Sequence, residues 1–225
     1  MNQEYKKLLN QIVLTPGLIS YDLNGPGIRV KKGRFSPIYI NMKKTWSYPK
    51  VLSNITKQLK EKCVGCNCVI GIETGGSPFA SVIAKELEVS LVLTRKKPKN
   101  ANIFAGDPIT GGGSVVIIDD VLATGFSMEK SLESIRKVNR KVSLVVVLSY
   151  GMDKIIAKKY DLTVHSLYQI EDFIQALPLE QVKLLDPYIK SYQKKFNRRC
   201  NNIHGSLLRS RLLCLEFFPP SLWNL

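Results

Sequence analysis

In the middle of the chain two carboxylates, two hydroxyls and a glycine stand at the end of an apolar run. The string is Val115-Val116-Ile117-Ile118-Asp119-Asp120-Val121-Leu122-Ala123-Thr124-Gly125-Phe126-Ser127. Four β-formers predict a strand, the small residues after it a tight turn, and the residues from about Met128 a helix. Such a turn aims backbone N–H groups and the positive end of a helix at the same point, and Thr124 and Ser127 add hydroxyl donors, so it cradles a phosphate. Gly125 permits a positive φ or close approach of the anion. Asp119 and Asp120 carry the wrong charge for that phosphate, but acceptor-only groups suit a pair of sugar hydroxyls. A sugar bearing a phosphate satisfies both halves. Each piece taken singly also has a plain structural reading, as an acidic strand end and a helix start; the complete string points to chemistry.

Three further segments carry groups of the same kind. Thr74-Gly75-Gly76 follows an apolar run and leaves bare amides for a second anion. Arg95, Lys96 and Lys99 open a polar, glycine-rich passage from Asn100 to Gly113, the composition of a lid whose cations meet an anion on closure. Lys31-Lys32-Gly33-Arg34-Phe35-Ser36-Pro37-Ile38-Tyr39-Ile40-Asn41 adds more cations beside aromatic and apolar residues.

Together these segments resemble the type I phosphoribosyltransferases. Val115 to Ser127 is similar to their signature for phosphoribosyl pyrophosphate (PRPP), and Gly71 to Pro78 is similar to their pyrophosphate loop. Lys31 to Asn41 and Arg95-Lys96-Lys97-Pro98-Lys99 resemble the amino-terminal segment and mobile catalytic loop of the orotate phosphoribosyltransferases. The resemblance implies transfer of phosphoribose from PRPP to orotate with Mg²⁺, giving orotidine 5'-monophosphate and pyrophosphate in pyrimidine biosynthesis. It implies catalytic roles for Arg95, Lys96, Lys99, Asp119 and Asp120. PRPP contacts would come from Lys31, Thr74, Gly75, Gly76, Arg95, Lys96, Lys99 and each residue from Asp119 through Asp120, Val121, Leu122, Ala123, Thr124, Gly125 and Phe126 to Ser127. The base would lie against Tyr39, Ile40 and Ala123. No direct protein ligand for the metal is implied: Mg²⁺ would be held through PRPP, with Asp119 or Asp120 reaching it through water. A homodimer that shares its lid across the interface is also implied.

Some positions depart from that family. Ala101, flanked by Asn100 and Asn102, stands where the catalytic loop usually carries a His; Ala123 stands where a Thr is common; and Ser149-Tyr150-Gly151 occupies the place of an Arg that pairs with the orotate carboxylate. The donor is therefore better marked than the acceptor. A transferase for another base, and a PRPP-sensing regulator without turnover, are the alternatives.

Positioning these groups requires a scaffold of alternating elements. Apolar runs at Cys68 to Ile72, Ser90 to Thr94, Ser114 to Ile118 and Val142 to Ser149 alternate with amphipathic stretches at Tyr48 to Lys62, Pro78 to Glu88 and Phe126 to Val138. Continuous apolar runs fit strands buried on both faces, so the expected class is α/β, an open, mostly parallel sheet flanked by helices. Asn2 to Val13 reads as a helix, followed by glycine- and proline-rich turns and strand-like residues from Ile28 to Asn41. Residues 1–196 are expected to form the transferase domain, with 1–45 as its accessory amino-terminal flap. Residues 197–225 read as an appended basic tail, disordered or an interaction segment.

Composition narrows the partners. The net charge of +15 favours anions, and the cations near Arg29 to Arg34 and Arg95 to Lys99 place them beside the phosphate segments; with no helix-turn-helix pattern, nucleic acid is not the expected partner. Cys63, Cys66 and Cys68 invite a zinc reading, but the complementary ligand pair is missing, which favours reduced thiols at a buried strand. Met1 to Asn10 is polar, and no run of about eighteen apolar residues occurs, so the expectation is a cytoplasmic protein without a membrane span.

Overall fold

The computed structural model describes residues 3–22, 25, 27–29, 35–99, 102–106, 113–123, 125–136 and 141–185. Helix α1 (Gln3–Val13) leads into the short strands β1 (Ile19–Tyr21), β2 (Ile28–Arg29), β3 (Phe35–Ser36) and β4 (Ile38–Ile40), then a 3-10 helix at Met42–Ser47. The main body follows as α2 (Pro49–Lys60), β5 (Cys68–Gly71), α3 (Ser77–Leu87), β6 (Ser90–Lys99), β7 (Asn102–Ala105), β8 (Ser114–Leu122) and α4 (Phe126–Arg136). It closes with β9 (Lys141–Ser149), α5 (Asp153–Tyr160), β10 (Thr163–Gln169) and α6 (Ile170–Gln175).

Six strands form one sheet in the order β10-β9-β8-β5-β6-β7, parallel except for β7. The strand periodicity of two sorts its residues into two cores. Val116 and Ile118 of β8 and Val145 and Val147 of β9 join α1, α2, α3 and α6 on one face. Val115 and Ile117, with Leu144 and Val146, meet α4 and α5 on the other. Both faces are thus apolar, the condition that the unbroken runs imposed. The amino-terminal part shares the first core through Leu8, Leu9, Ile12, Leu18, Ile38 and Ile40, so α1 and β4 are packed against the sheet domain. Tyr168 on β10 fastens α1 further, its hydroxyl donating to the Tyr5 carbonyl at 2.9 Å.

Two strands run further than their apolar residues indicate. β8 continues through both aspartates to Leu122, because β9 pairs with it as far as Ser149. β6 continues to Lys99 by pairing antiparallel with β7 after its register with β5 has ended at Leu93. A charged, proline-containing sequence is tolerated there because it lies beyond the central sheet. The segment read as the start of a lid loop is thus one arm of a two-stranded ribbon.

Cys63 and Cys66 follow α2 as buried free thiols, and Cys63 Sγ donates to the Leu59 carbonyl at 3.3 Å. Burial, aided by the adjacent Cys66, pushes the Cys63 thiol up from its ordinary 9.0 to about 12. The unfolded chain therefore loses this proton first as pH rises. The group's contribution to stability is complete below pH 9 and is lost between there and about pH 12. Urea unfolding across that range should show a shallower alkaline decline in Cys63→Ala than in the wild type.

Candidate active site

The chain leaves β5 toward β6 on one side and returns through β8 to β9 and β10 on the other. The neighbours β5 and β8 therefore mark the point where the strand order reverses, the place where open α/β sheets form a ligand crevice beyond the carboxyl ends of their strands. Both segments read from the sequence as anion cradles follow those ends. The residues after β5 turn back immediately, with Ile72 N–H donating to the Ile118 carbonyl at 2.9 Å and Gly76 N–H to the Ile72 carbonyl at 2.8 Å. Glu73 N–H donates to Thr94 Oγ1 at 2.8 Å, tying the turn to β6 one residue before Arg95. The Glu73–Thr74 peptide is cis.

Gly75 and Gly76 are required by contact. A β-carbon on Gly76 would stand 2.0 Å from the Ile118 carbonyl oxygen, and one on Gly75 would stand 2.1 Å from Asp120 Oδ1. The turn and the acidic pair thus touch, although Gly75 and Asp120 stand 45 positions apart in sequence. Asp119 and Asp120 are half-buried, and Asp119 Oδ1 accepts the Asp120 amide at 2.9 Å, which fixes one carboxylate against its own strand.

Beyond Leu122, half-buried Ala123 leads toward Gly125, whose φ of +74° is the left-handed conformation that glycine adopts freely. Its carbonyl accepts the amides of Met128 and Glu129, both at 3.1 Å, starting α4. Ile156 of α5 lies beneath it, with Cδ1 2.5 Å from where a Gly125 β-carbon would sit. The amino end of α4 therefore follows the carboxyl end of β8, as the Gly75–Gly76 turn follows that of its neighbour β5.

Of the residues singled out from sequence, Thr74, Gly75, Gly76, Asp119 and Asp120 are brought together, with Arg95 next to the hydrogen-bonded Thr94. Val121, Leu122, Ala123 and Gly125 continue from them. Tyr39 is exposed on β4, while the Ile40 side chain is packed in the core, leaving Tyr39 as the outward group of that pair. Lys31, Ala101, Thr124 and the tail 197–225 lie outside the described residues, as do the side chains of Lys96, Lys99, Phe126 and Ser127. Thr94 and Ile156 were not singled out. The signal for Thr94 was a hydroxyl ending an apolar strand just before Arg95, whereas Ile156 resembles any core residue.

A mostly parallel α/β sheet, its strand order reversing where a glycine turn meets two carboxylates, is the arrangement in which open α/β proteins place their ligands. A family model, the phosphoribosyl transferase domain, matches residues 50–181, more than half of the chain, and the protein belongs to that family. It is similar to an orotate phosphoribosyltransferase of Listeria innocua, 34% identical over 127 residues that cover 53% of this chain and 60% of that protein. A second, from Sulfolobus acidocaldarius, is 28% identical over 152 residues, covering 64% of this chain and 76% of the relative. The chain thus spans less than two thirds of the length of the Listeria relative. Among solved structures, orotate phosphoribosyltransferase from Aeropyrum pernix aligns with a TM-score of 0.64 at 25% identity, over 74% of this chain and 96% of that one. Leishmania donovani UMP synthase aligns with a TM-score of 0.69 at 22% identity, over 83% and 42%, a likeness of fold.

The close approach at Gly76 makes a sharp prediction. Gly76→Ala must displace the turn from Ile118, so pyrophosphate measured by calorimetry should bind at least about tenfold more weakly, a loss on the order of 1.4 kcal/mol. Unchanged affinity in the folded variant would remove the turn from the anion site.

Proposed function

We propose that the protein is an orotate phosphoribosyltransferase that transfers phosphoribose from PRPP to orotate. The observation that carries this reading is the contact between the Gly75–Gly76 turn and the Ile118–Asp120 strand end, in a chain of the phosphoribosyl transferase family. The orotate enzymes among its relatives and the ordered match of four sequence segments support the acceptor.

In this reading Gly125, with Thr124, Ser127 and the amino end of α4, holds the 5-phosphate, while Val121, Leu122, Ala123 and Phe126 shape that turn. Asp119 and Asp120 accept hydrogen bonds from the ribose hydroxyls. The amides of Thr74 and Gly75, with Lys31, Arg95, Lys96 and Lys99, hold the diphosphate, while Gly76 lets the turn approach Ile118. A ring nitrogen of orotate bonds to C1 as the C1–O bond to the diphosphate breaks, and pyrophosphate departs with the electron pair. Positive charge grows on the sugar while negative charge grows on the leaving group. Cations aimed at the diphosphate therefore act mainly on the transition state. Tyr39 and Ala123 border the base, and Ile40, next to Tyr39 on β4, is packed in the core.

The donor set fits Mg²⁺ that is carried by the substrate. Asp119 and Asp120 offer hard oxygens for water-mediated contact with it. When bound, the ion would neutralise diphosphate charge. Among the described residues no helix is long and apolar enough to cross a membrane, and the reading places the protein in the cytoplasm. The reading also includes a homodimer with Lys96 and Lys99 acting on the neighbouring subunit's site, and a domain ending near residue 196.

Pyrophosphate release should therefore require PRPP, Mg²⁺ and orotate in a panel of orotate, uracil and purines. Preference for another base would overturn the acceptor, which Ala123 and Tyr150 put under direct test, and PRPP binding without turnover would indicate the regulator. Asp120→Asn and Lys99→Ala should each lower kcat by roughly 100-fold. Mixed dimers of these two variants should recover activity if the ribbon acts in trans.

A further inference from the structure

Glu129 stands in the first turn of α4, the helix whose amino end opens on the crevice. A carboxylate there stabilises the helix, but it also repels an anion bound at the same end. Two residues at the carboxyl end of α5 hold it. Lys159 Nζ lies 2.7 Å from Glu129 Oε1, and the Tyr160 hydroxyl donates to that same oxygen. Lys159 also lies 4.8 Å from the centre of the Tyr160 ring, so the three groups form one contact set. Only about a third of the Lys159 and Glu129 side chains is exposed, at 37% and 29%, which limits screening by solvent.

Protonation suits the arrangement. Burial acts to lower the Lys159 pKa, but the contacts with Glu129 and Tyr160 outweigh it and raise the value, keeping the amine charged. Burial first, and then Glu129, push the Tyr160 hydroxyl up to about 12, so it remains a donor. The same helix supports the turn from below through Ile156. Thus α5 carries both the floor of Gly125 and the countercharge for Glu129.

We infer that Lys159 and Tyr160 form a charge-cancelling latch that lets the amino end of α4 accept the PRPP phosphate despite Glu129. They are positioning residues, and the inference rests on the reading that this phosphate binds at Gly125 and α4. A latch of this kind affects donor affinity rather than the bond-breaking step.

Calorimetric titration of PRPP into the full-length wild type, Lys159→Met, Lys159→Arg, Glu129→Gln and the double variant Lys159→Met/Glu129→Gln separates charge from packing. Lys159→Met should raise Kd roughly two- to fivefold at low salt, and the difference should shrink in about 1 M salt. Lys159→Arg should retain wild-type affinity, Glu129→Gln should equal or exceed it, and the double variant should recover it. Pyrophosphate, used as a probe of the Gly75–Gly76 turn, should bind all five proteins alike. Weakening of PRPP binding by both Lys159→Met and Glu129→Gln would show a packing brace and overturn the latch, as would an unchanged Kd in Lys159→Met. If Lys159→Met does not fold, weaker PRPP binding by Glu129→Gln overturns it instead. Failure of the wild type to bind PRPP would overturn the donor-site reading and the latch together, a result distinct from the others.

Discussion

A backbone pressed against a backbone sets the geometry of the crevice. Gly76 lies so close to the Ile118 carbonyl that a β-carbon would come within 2.0 Å, and the Ile72 amide bonds that same carbonyl. This approach is possible only where β5 and β8 are neighbours and the chain reverses its direction of travel across the sheet. It places the Gly75–Gly76 turn beside Asp119 and Asp120. Thr94 then links the turn to the base of the β6–β7 ribbon, so the ribbon is anchored to the turn it would cover.

The crevice separates charges that would otherwise oppose one another. In the proposed reading the acidic strand end lies between two anion cradles, the glycine turn and the amino end of α4. A ligand with an anion at each end and hydroxyls between them matches that order, as PRPP does. Binding such a ligand needs little proton transfer; it needs fixed donors whose orientation was settled on folding. Glu129, in the first turn of α4, is set against this order, and α5 supplies its countercharge from a separate element.

Much of this was legible in the sequence, because buried parallel strands leave long apolar runs and close backbone approach leaves glycines. Val115 to Ile118 showed both core faces at once, and Gly75-Gly76 signalled a turn without side chains. Pairing was less legible. β6 reaches Lys99 because β7 offers it a partner, not because Lys-Lys-Pro-Lys favours a strand, and β8 reaches Leu122 through β9. Ile40 read as a surface beside the base, yet the alternation along β4 sends Ile38 and Ile40 inward and Tyr39 outward. Thr94, Ile156 and Lys159 act through residues far away in sequence, so no local spacing marks them.

The most direct test of the crevice is a titration of the backbone amide resonances with PRPP. The amides of Gly75, Gly76, Asp119, Asp120 and Gly125 should shift together with one affinity, since one ligand spans both cradles. Shifts confined to the amino-terminal ends of β5 and β8, near Asn67 and Ser114, would contradict this placement of the site.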